Sequence, residues 1–256
     1  MFTGIDHVAI VVNELESAIA SYSRVGFTVV RGGKHPIGTH NALIAFADGS
    51  YLELIAFTKP DTGHRWQRAL AKGSGIVDFC LSTDDLAADV ESMRRGGAKI
   101  GDPFSLTRDR PDGYHLSWLL ATPETPFSGQ LPFLIKDDTP RDERVPRARS
   151  HRNGAGGIRT LAIAVDDPGT TSRCYARVLG RPGAPVQRPD LEAAGVVFTI
   201  GPNEVQLLAS KSENGPLAQW IRDHGQSPFE LVLANPGAGA TTLDASLLQG
   251  ARIRFA

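Results

Sequence analysis

The sequence predicts an α+β fold built from paired βαβββ modules, each curved sheet forming a half-barrel with helices outside. Three observations carry this. First, the chain repeats itself. GIDHVAIVV (4–12) returns as GIRTLAIAV (157–165), and the offset of 153 that sets Thr160 on His7 also sets Tyr175 on Tyr22, Arg177 on Arg24 and Gln206 on Glu53. Second, a weaker copy lies between the two. GIVDFCL (75–81) places Asp78 on His7 and Gly97 on Gly26, and SPFELVL (227–233) is its counterpart, with Glu230 at the matching position. Third, the copies share one local grammar: an apolar β-branched run, a stretch at helical spacing, then short strand-like runs divided by glycines.

The elements follow in order. Ile5 to Val12 reads as a buried strand. Asn13 with Glu16 is a candidate helix cap, and Leu15, Ala18, Ile19, Tyr22 and Val25 make one helical face that ends at Gly26. FTVVRGG, NALIAFADG and YLELIAF read as three strands separated by turns. In the second unit Leu86, Val90 and Met93 form the helical face, capped by Asp84 or Asp85. The units span roughly 4–57, 75–137, 157–210 and 227–256, the last stopping after what would be its second strand. Between them, residues 138–156 mix prolines, arginines and acids without periodicity and read as an exposed linker. The domains expected are therefore 1–137, a linker at 138–156, and a truncated module pair at 157–256.

Composition excludes several classes. With 41% hydrophobic and 21% charged residues in 256, the chain can bury a core without disulfides or a structural metal. A net charge of −1 carries no footprint for nucleic acid or an anionic membrane. Cys80 and Cys174 form no CxxC pair and read as buried thiols of a reducing compartment. No leader pattern and no apolar run of roughly 18 residues appear, so a cytoplasmic protein without membrane or nucleic-acid partners is expected. There is no P-loop, no GxSxG and no GxGxxG after a strand, and GKHPIGTH reads as a loop of mixed residues.

Strand parity singles out two residues. His7 shares a face with Ile5, Ala9 and Val11, and Glu53 shares one with Tyr51, Ile55 and Phe57. The opposite faces are purely apolar and should cover the helix, which puts His7 and Glu53 together on the concave side. Imidazole and carboxylate there are donors for a transition metal. The plainer reading of His7 is a hydrogen-bonded strand histidine. For Asp78 it is a buried carboxylate paired with Arg108 or Arg110. For His40 it is a turn cap, and for His115 a solvated turn.

The paired strand–helix–three-strand unit, with GIDHVAIVV, the helix up to Gly26–Phe27 and YLELIAF, resembles the vicinal oxygen chelate superfamily of glyoxalase I, extradiol dioxygenases, methylmalonyl-CoA epimerase and bleomycin-resistance proteins. HPIGTHNALIAF (35–46), YLELIAF (51–57), RPDGYHLSW (110–118) and LPFLIKD (131–137) are similar to its glyoxalase-like branch. The resemblance implies a metal-dependent enzyme acting on a small oxygenated molecule as lyase, isomerase or dioxygenase. A divalent Zn, Fe, Mn or Ni would be held by His7, Glu53 and Asp78, with Glu53 as ligand or base and His40 as proton carrier. His40 and His115 are the candidates to complete the set, because Phe133 stands near the place of a second carboxylate. Tyr51, His115, Trp118 and Phe133 are the expected substrate pocket. The rival reading is a metal-free small-molecule binder like the bleomycin-resistance proteins, with Phe46 and Phe57 added to the aromatic wall. The second half has Thr160 and Gln206 at the key places, so function is expected in residues 1–137. The sheet edges of the truncated unit would be covered by the first half or by a second copy in a homodimer.

Overall fold

The computed structural model describes residues 2–60, 63–124, 129–235, 237 and 239–256. Eight strands make up the first half: β1 (Phe2–Val11), β2 (Val30–His35), β3 (Thr39–Ala45), β4 (Tyr51–Phe57), β5 (Gly75–Thr83), β6 (Phe104–Asp109), β7 (His115–Ala121) and β8 (Phe133–Asp137). Two half-barrels meet edge to edge and close into one barrel, in the order β1-β4-β3-β2-β6-β7-β8-β5. One seam is the long antiparallel pairing of β1 with β5, and the other is the single pair Lys34 with Asp109 between β2 and β6. Closure removes the free sheet edges.

The second half holds β9 (Gly157–Ala164), β10 (Ala184–Arg188), β11 (Ala193–Ile200), β12 (Asn203–Ser210), β13 (Ser227–Ala234), β14 (Thr241–Thr242) and β15 (Ile253–Phe255), in one sheet ordered β10-β11-β12-β9-β13-β15-β14. The repeat seen in the sequence is a repeat of register. His7 faces Tyr51 and Ala9 faces Glu53 across β1 and β4; Thr160 faces Glu204 and Ala162 faces Gln206 across β9 and β12. The fourth unit is cut differently from the expectation. β15 runs parallel to β13 as β8 runs parallel to β5, so it is the closing strand and not the second one. Placed there, Ile253 and Phe255 are buried in the core.

Helices α1 (Leu15–Arg24), α3 (Leu86–Arg95), α5 (Pro168–Leu179) and α6 (Pro216–His224) lie outside the sheets, and α2 (Gln67–Leu70) and α4 (Arg141–Arg144) are single turns in connections. None of the described helices is long and apolar enough to cross a membrane. Glu14, one residue past the expected cap, accepts the Ser17 N–H at 2.7 Å, and Asp85 accepts that of Ala88 at 3.1 Å. The even residues Val8, Ile10, Leu52 and Leu54 pack on Leu15, Ala18 and Tyr22 of α1, in a core that runs on into the second half through Leu161, Ile163 and Leu207. The Tyr22 hydroxyl donates to the Leu248 carbonyl at 2.9 Å, across the two halves. The odd residues Ala9, Val11 and Ile55 face inward, against Trp118, Leu120, Phe133 and Ile135.

Residues 138–156 are not the exposed segment their composition indicates. Arg144, Val145 and His151 are buried. His151 accepts the Thr28 N–H through Nδ1 and donates through Nε2 to the Ala45 carbonyl, both at 3.0 Å. Arg141 and Arg144 reach inward to Asp6 and Asp137 of the barrel, which a reading of charge as solvated surface does not reveal. Cys80 is buried as expected, Cys174 is half-buried, and both are free thiols.

Candidate active site

The inward face of the barrel encloses a cavity of about 170 Å³. Its polar wall is His7, His35, Thr39, Glu53, Arg108 and Arg144; its apolar wall includes Tyr51, Trp66, Trp118, Leu120 and Phe133. Ile37 and Phe104, respectively 40% and 43% exposed, form the mouth.

His7 and Glu53 meet as parity predicts, with His7 Nε2 3.4 Å from Glu53 Oε2. Each is held from behind. His7 Nδ1 lies 2.7 Å from Asp6 Oδ1, its ring stacks on Tyr51 at 4.6 Å between centroids, and Phe133 meets it edge-on at 5.2 Å. Asp6 is the sequence neighbour of His7, and alternation alone would send it to the other face. The β1–β5 pairing slips between Ile5 and His7, and this bulge lets the two side chains touch. Asp6 is fixed in turn by Arg144 (3.1 and 3.2 Å) and by Arg141. Burial raises the Asp6 carboxyl, but Arg144, His7 and Arg141 outweigh it and hold the group well below the usual carboxylate range.

Asn41 Nδ2 donates to Glu53 Oε1 at 2.6 Å. Burial pushes Glu53 up, yet His7, His35 and this hydrogen bond bring it below its ordinary value, so it is a carboxylate at neutral pH. His35 Nδ1 lies 2.9 Å from Thr39 Oγ1, and Trp118 sits edge-on to its ring at 6.0 Å. Burial pushes the imidazole down to about 4, so it is neutral near pH 7.

The other expected residues divide. Tyr51, Trp118 and Phe133 line the cavity. Asp78 is buried but committed elsewhere: it accepts from Arg65 Nη2 at 3.0 Å, Trp66 Nε1 at 2.9 Å and the Phe79 N–H at 2.9 Å. Its arginine is Arg65, not Arg108 or Arg110. His40 pairs with Ala56 and shares the outward face of β3 with Ala42 and Ile44, away from Glu53. His115 is exposed and bound to Asp109 at 2.6 Å. Phe46 belongs to the outer core. Sequence reasoning missed Asp6, His35, Asn41, Arg108 and Arg144, all within the site or directly behind it.

The expected metal donors can be tested against this arrangement. Among the described residues, no three His, Cys, Asp or Glu side chains converge as an ion requires. Asp78 is neutralised by Arg65, and Arg65, Arg108 and Arg144 all face the cavity, which opposes a dication. The set of His7, Glu53 and Asp78 does not fit a three-ligand centre; His7 and Glu53 remain as adjacent donors.

The glyoxalase-like domain family matches residues 5–179 of the chain. No curated protein matches it in sequence. Among solved structures, a hypothetical protein from Staphylococcus aureus superposes with TM-score 0.73 at 14% identity, covering 99% of this chain and 98% of that one. A mutant of 4-hydroxymandelate synthase from Streptomyces coelicolor gives 0.63 at 12% identity over 96% of this chain and 79% of that one. A fusion of a xylose isomerase-like TIM barrel with 4-hydroxyphenylpyruvate dioxygenase gives 0.55 at 15%, over 91% and 36%. At such identities the likeness is one of fold.

Proposed function

Because the chain belongs to the glyoxalase-like domain family of the vicinal oxygen chelate superfamily, we propose that its first barrel is an enzyme active site for a small oxygenated molecule, in which Glu53 and His7 move a proton. The observation that carries this reading is the carboxylate–imidazole pair at 3.4 Å on the wall of a largely apolar cavity, each partner locked by a buried hydrogen bond. Such locking is what a preorganised acid–base pair requires.

Glu53, ionised, takes a proton from a carbon next to a carbonyl. The C–H electron pair becomes the C=C bond of an enolate as the carbonyl π pair moves onto oxygen, and return of the proton to the opposite face of that carbon completes an epimerisation. Where that carbon bears a hydroxyl, transfer of the hydroxyl proton to the enolate oxygen lets the first proton return to the neighbouring carbon instead. His7 is the partner whose positive charge, when protonated, is balanced by Asp6 behind it and Glu53 in front. His35, neutral, is placed to hydrogen-bond the substrate oxygen without a competing positive charge. The metal-dependent form that the family resemblance implies would draw on the same two donors, and no step above depends on an ion.

A second reading, a metal-free binding protein, is favoured by one observation: Tyr51, Trp118 and Phe133 give the cavity an aromatic wall suited to stacking. The experiment is proton exchange in D2O with a panel of small 2-oxo and 2-hydroxy carbonyl compounds, read by NMR. We expect protein-dependent deuterium uptake next to the carbonyl, reduced about 100-fold or more in Glu53→Gln. Ligand-induced melting shifts without exchange across the panel would replace the enzyme reading with the binder. Loss of exchange on chelation, restored by one of Zn, Fe, Mn or Ni, would bring the ion back into the mechanism.

A further inference from the structure

Three arginines line the cavity, and their surroundings differ. Arg144 is bound by Asp6 and Asp137, and Arg65 by Asp78. Arg108 is 3% exposed, yet no carboxylate among the described residues lies within the 4.0 Å of an ion pair. Its Nη2 donates to the Arg144 carbonyl at 2.9 Å, and its Nε–H has no acceptor. Glu53 acts on it only from beyond ion-pair distance, and a buried guanidinium with an idle donor and no paired carboxylate is costly to keep unless a ligand supplies both.

The surrounding backbone is built to hold that side chain. The β2–β3 pairing slips between Arg31 and Gly33, and the two glycines here make room. A Cβ on Gly33 would fall 3.1 Å from Arg108 Cγ and 2.0 Å from the Asp109 carbonyl oxygen; one on Gly32 would fall 3.2 Å from Arg108 Nη1. Arg108 pairs across the sheet with Leu116, two residues before Trp118, so it stands beside the apolar wall of Trp118, Leu106 and Leu120.

Resting on the reading of this cavity as a substrate site, we infer that Arg108 anchors a carboxylate of the incoming molecule, and that the substrate class is a small monocarboxylic acid with an apolar body. The carboxylate supplies the missing ion-pair partner and accepts from the guanidinium, the body lies on Trp118 and Leu120, and the reactive carbon is left to Glu53 and His7. One acid group is the complement of one uncommitted arginine. A second would find Arg144 and Arg65 already paired and Glu53 repelling it.

The test is ligand-observed NMR at pH 7 with matched probes: phenylacetate against phenylacetamide, 4-methylpentanoate against its amide, and phenyl phosphate as the other oxyanion. For the wild-type chain each acid should bind about 30-fold or more tighter than its amide. Arg108→Gln should bring that ratio close to one without weakening the amides, whereas Glu53→Gln, which removes a repelling charge, should not lower it. Arg108→Lys keeps the charge but loses the fork, and should retain part of the preference; it carries the test where Arg108→Gln melts early. Equal affinity for acid and amide, a ratio unchanged in Arg108→Gln, tighter binding of phenyl phosphate, or no acid bound at millimolar concentration would each overturn the inference. Acids that bind but never exchange a proton sink the catalytic reading and leave this one. Exchange on neutral carbonyls with no preference for acids does the reverse.

Discussion

The two halves of the chain share a register and differ in what fills it. Across β1, β4 and β5 stand His7, Glu53 and Asp78; across β9, β12 and β13 the same places hold Thr160, Gln206 and Glu230. His35 at the end of β2 corresponds to Arg188 at the end of β10, at the same offset of 153. In the second half Arg188, Gln206 and Glu230 satisfy one another, while Thr160 donates to Glu204. Arg188 Nη2 lies 2.8 Å from Glu230 Oε1 and Nη1 3.5 Å from Gln206 Oε1, while Arg254 Nε reaches the same Glu230 oxygen at 3.0 Å. In the first half Asp78 is drawn off to Arg65 in a connection, which leaves His7 and Glu53 facing the cavity and Arg108 without an ion-pair partner among the described residues. One backbone thus supports a self-neutralised polar cluster or an open one. The difference lies in whether an arginine on the sheet or in a connection takes the buried acid of the fifth or thirteenth strand.

The largest expected difference is in stability. Arg144→Ala leaves Asp6 buried with only Arg141 and His7, and should destabilise the protein by about 3 kcal/mol or more in urea titrations. Arg188→Ala leaves Glu230 with Arg254, and should cost about half as much. Equal losses would mean that the two clusters are equally open.

Next in size is the response to acid. His35 is pushed down to about 4 in the fold, against about 6.5 in an unfolded chain. The unfolded chain therefore binds the proton first, and stability present above about pH 6.5 is lost as pH falls towards 4, by up to about 3 kcal/mol. Arg188, in the matching place, does not titrate there. His35→Gln should flatten the fall between pH 6.5 and 4.5 measured by urea unfolding. His64, also pushed down to about 4 by burial and Arg65, leaves some slope behind. An unchanged slope in His35→Gln would show that this histidine is not the sensitive group.

How much of this was legible follows from periodicity. Alternation in IDHVAIVV and YLELIAF separated an apolar face from a face bearing His7 and Glu53, and the two faces do divide outer core from cavity. The same rule could not orient THNALIAF, where each face carries both polar and apolar residues. Thr39 and Asn41 turn inward and His40 outward because β3 pairs Leu43 with Glu53. Asp6 was hidden by its position next to His7, since only a bulge lets neighbours share a face. Arg144 was hidden in a charged segment, and its partner Asp6 lies 138 residues away in sequence. His35 ends β2, in a stretch that looks like a mixed loop. Long-range ion pairs carry no period, so a reading by period passes over them.

The smallest expected effect is the sharpest test of the comparison. If ligand binding needed only the imidazole and carboxylate at the register positions of β1 and β4, then Thr160→His with Gln206→Glu should build a second site. We expect it to bind none of the acids taken by the first barrel, with affinity and stoichiometry unchanged in calorimetric titration. A new carboxylate at position 206 would lie within reach of Arg188, which would bridge it to Glu230 and close the cluster further. No counterpart of Arg108 exists there among the described residues, because β15 follows β14 directly in the sheet and no strand takes the place of β6. Adding Arg188→His to the double variant removes the bridging cation and leaves Glu230 to Arg254. That triple variant should also bind nothing, since the anchoring arginine is still missing. A second equivalent of acid bound by the double variant would show that the His–Glu pair suffices by itself, and that Arg188 does not decide which half is open.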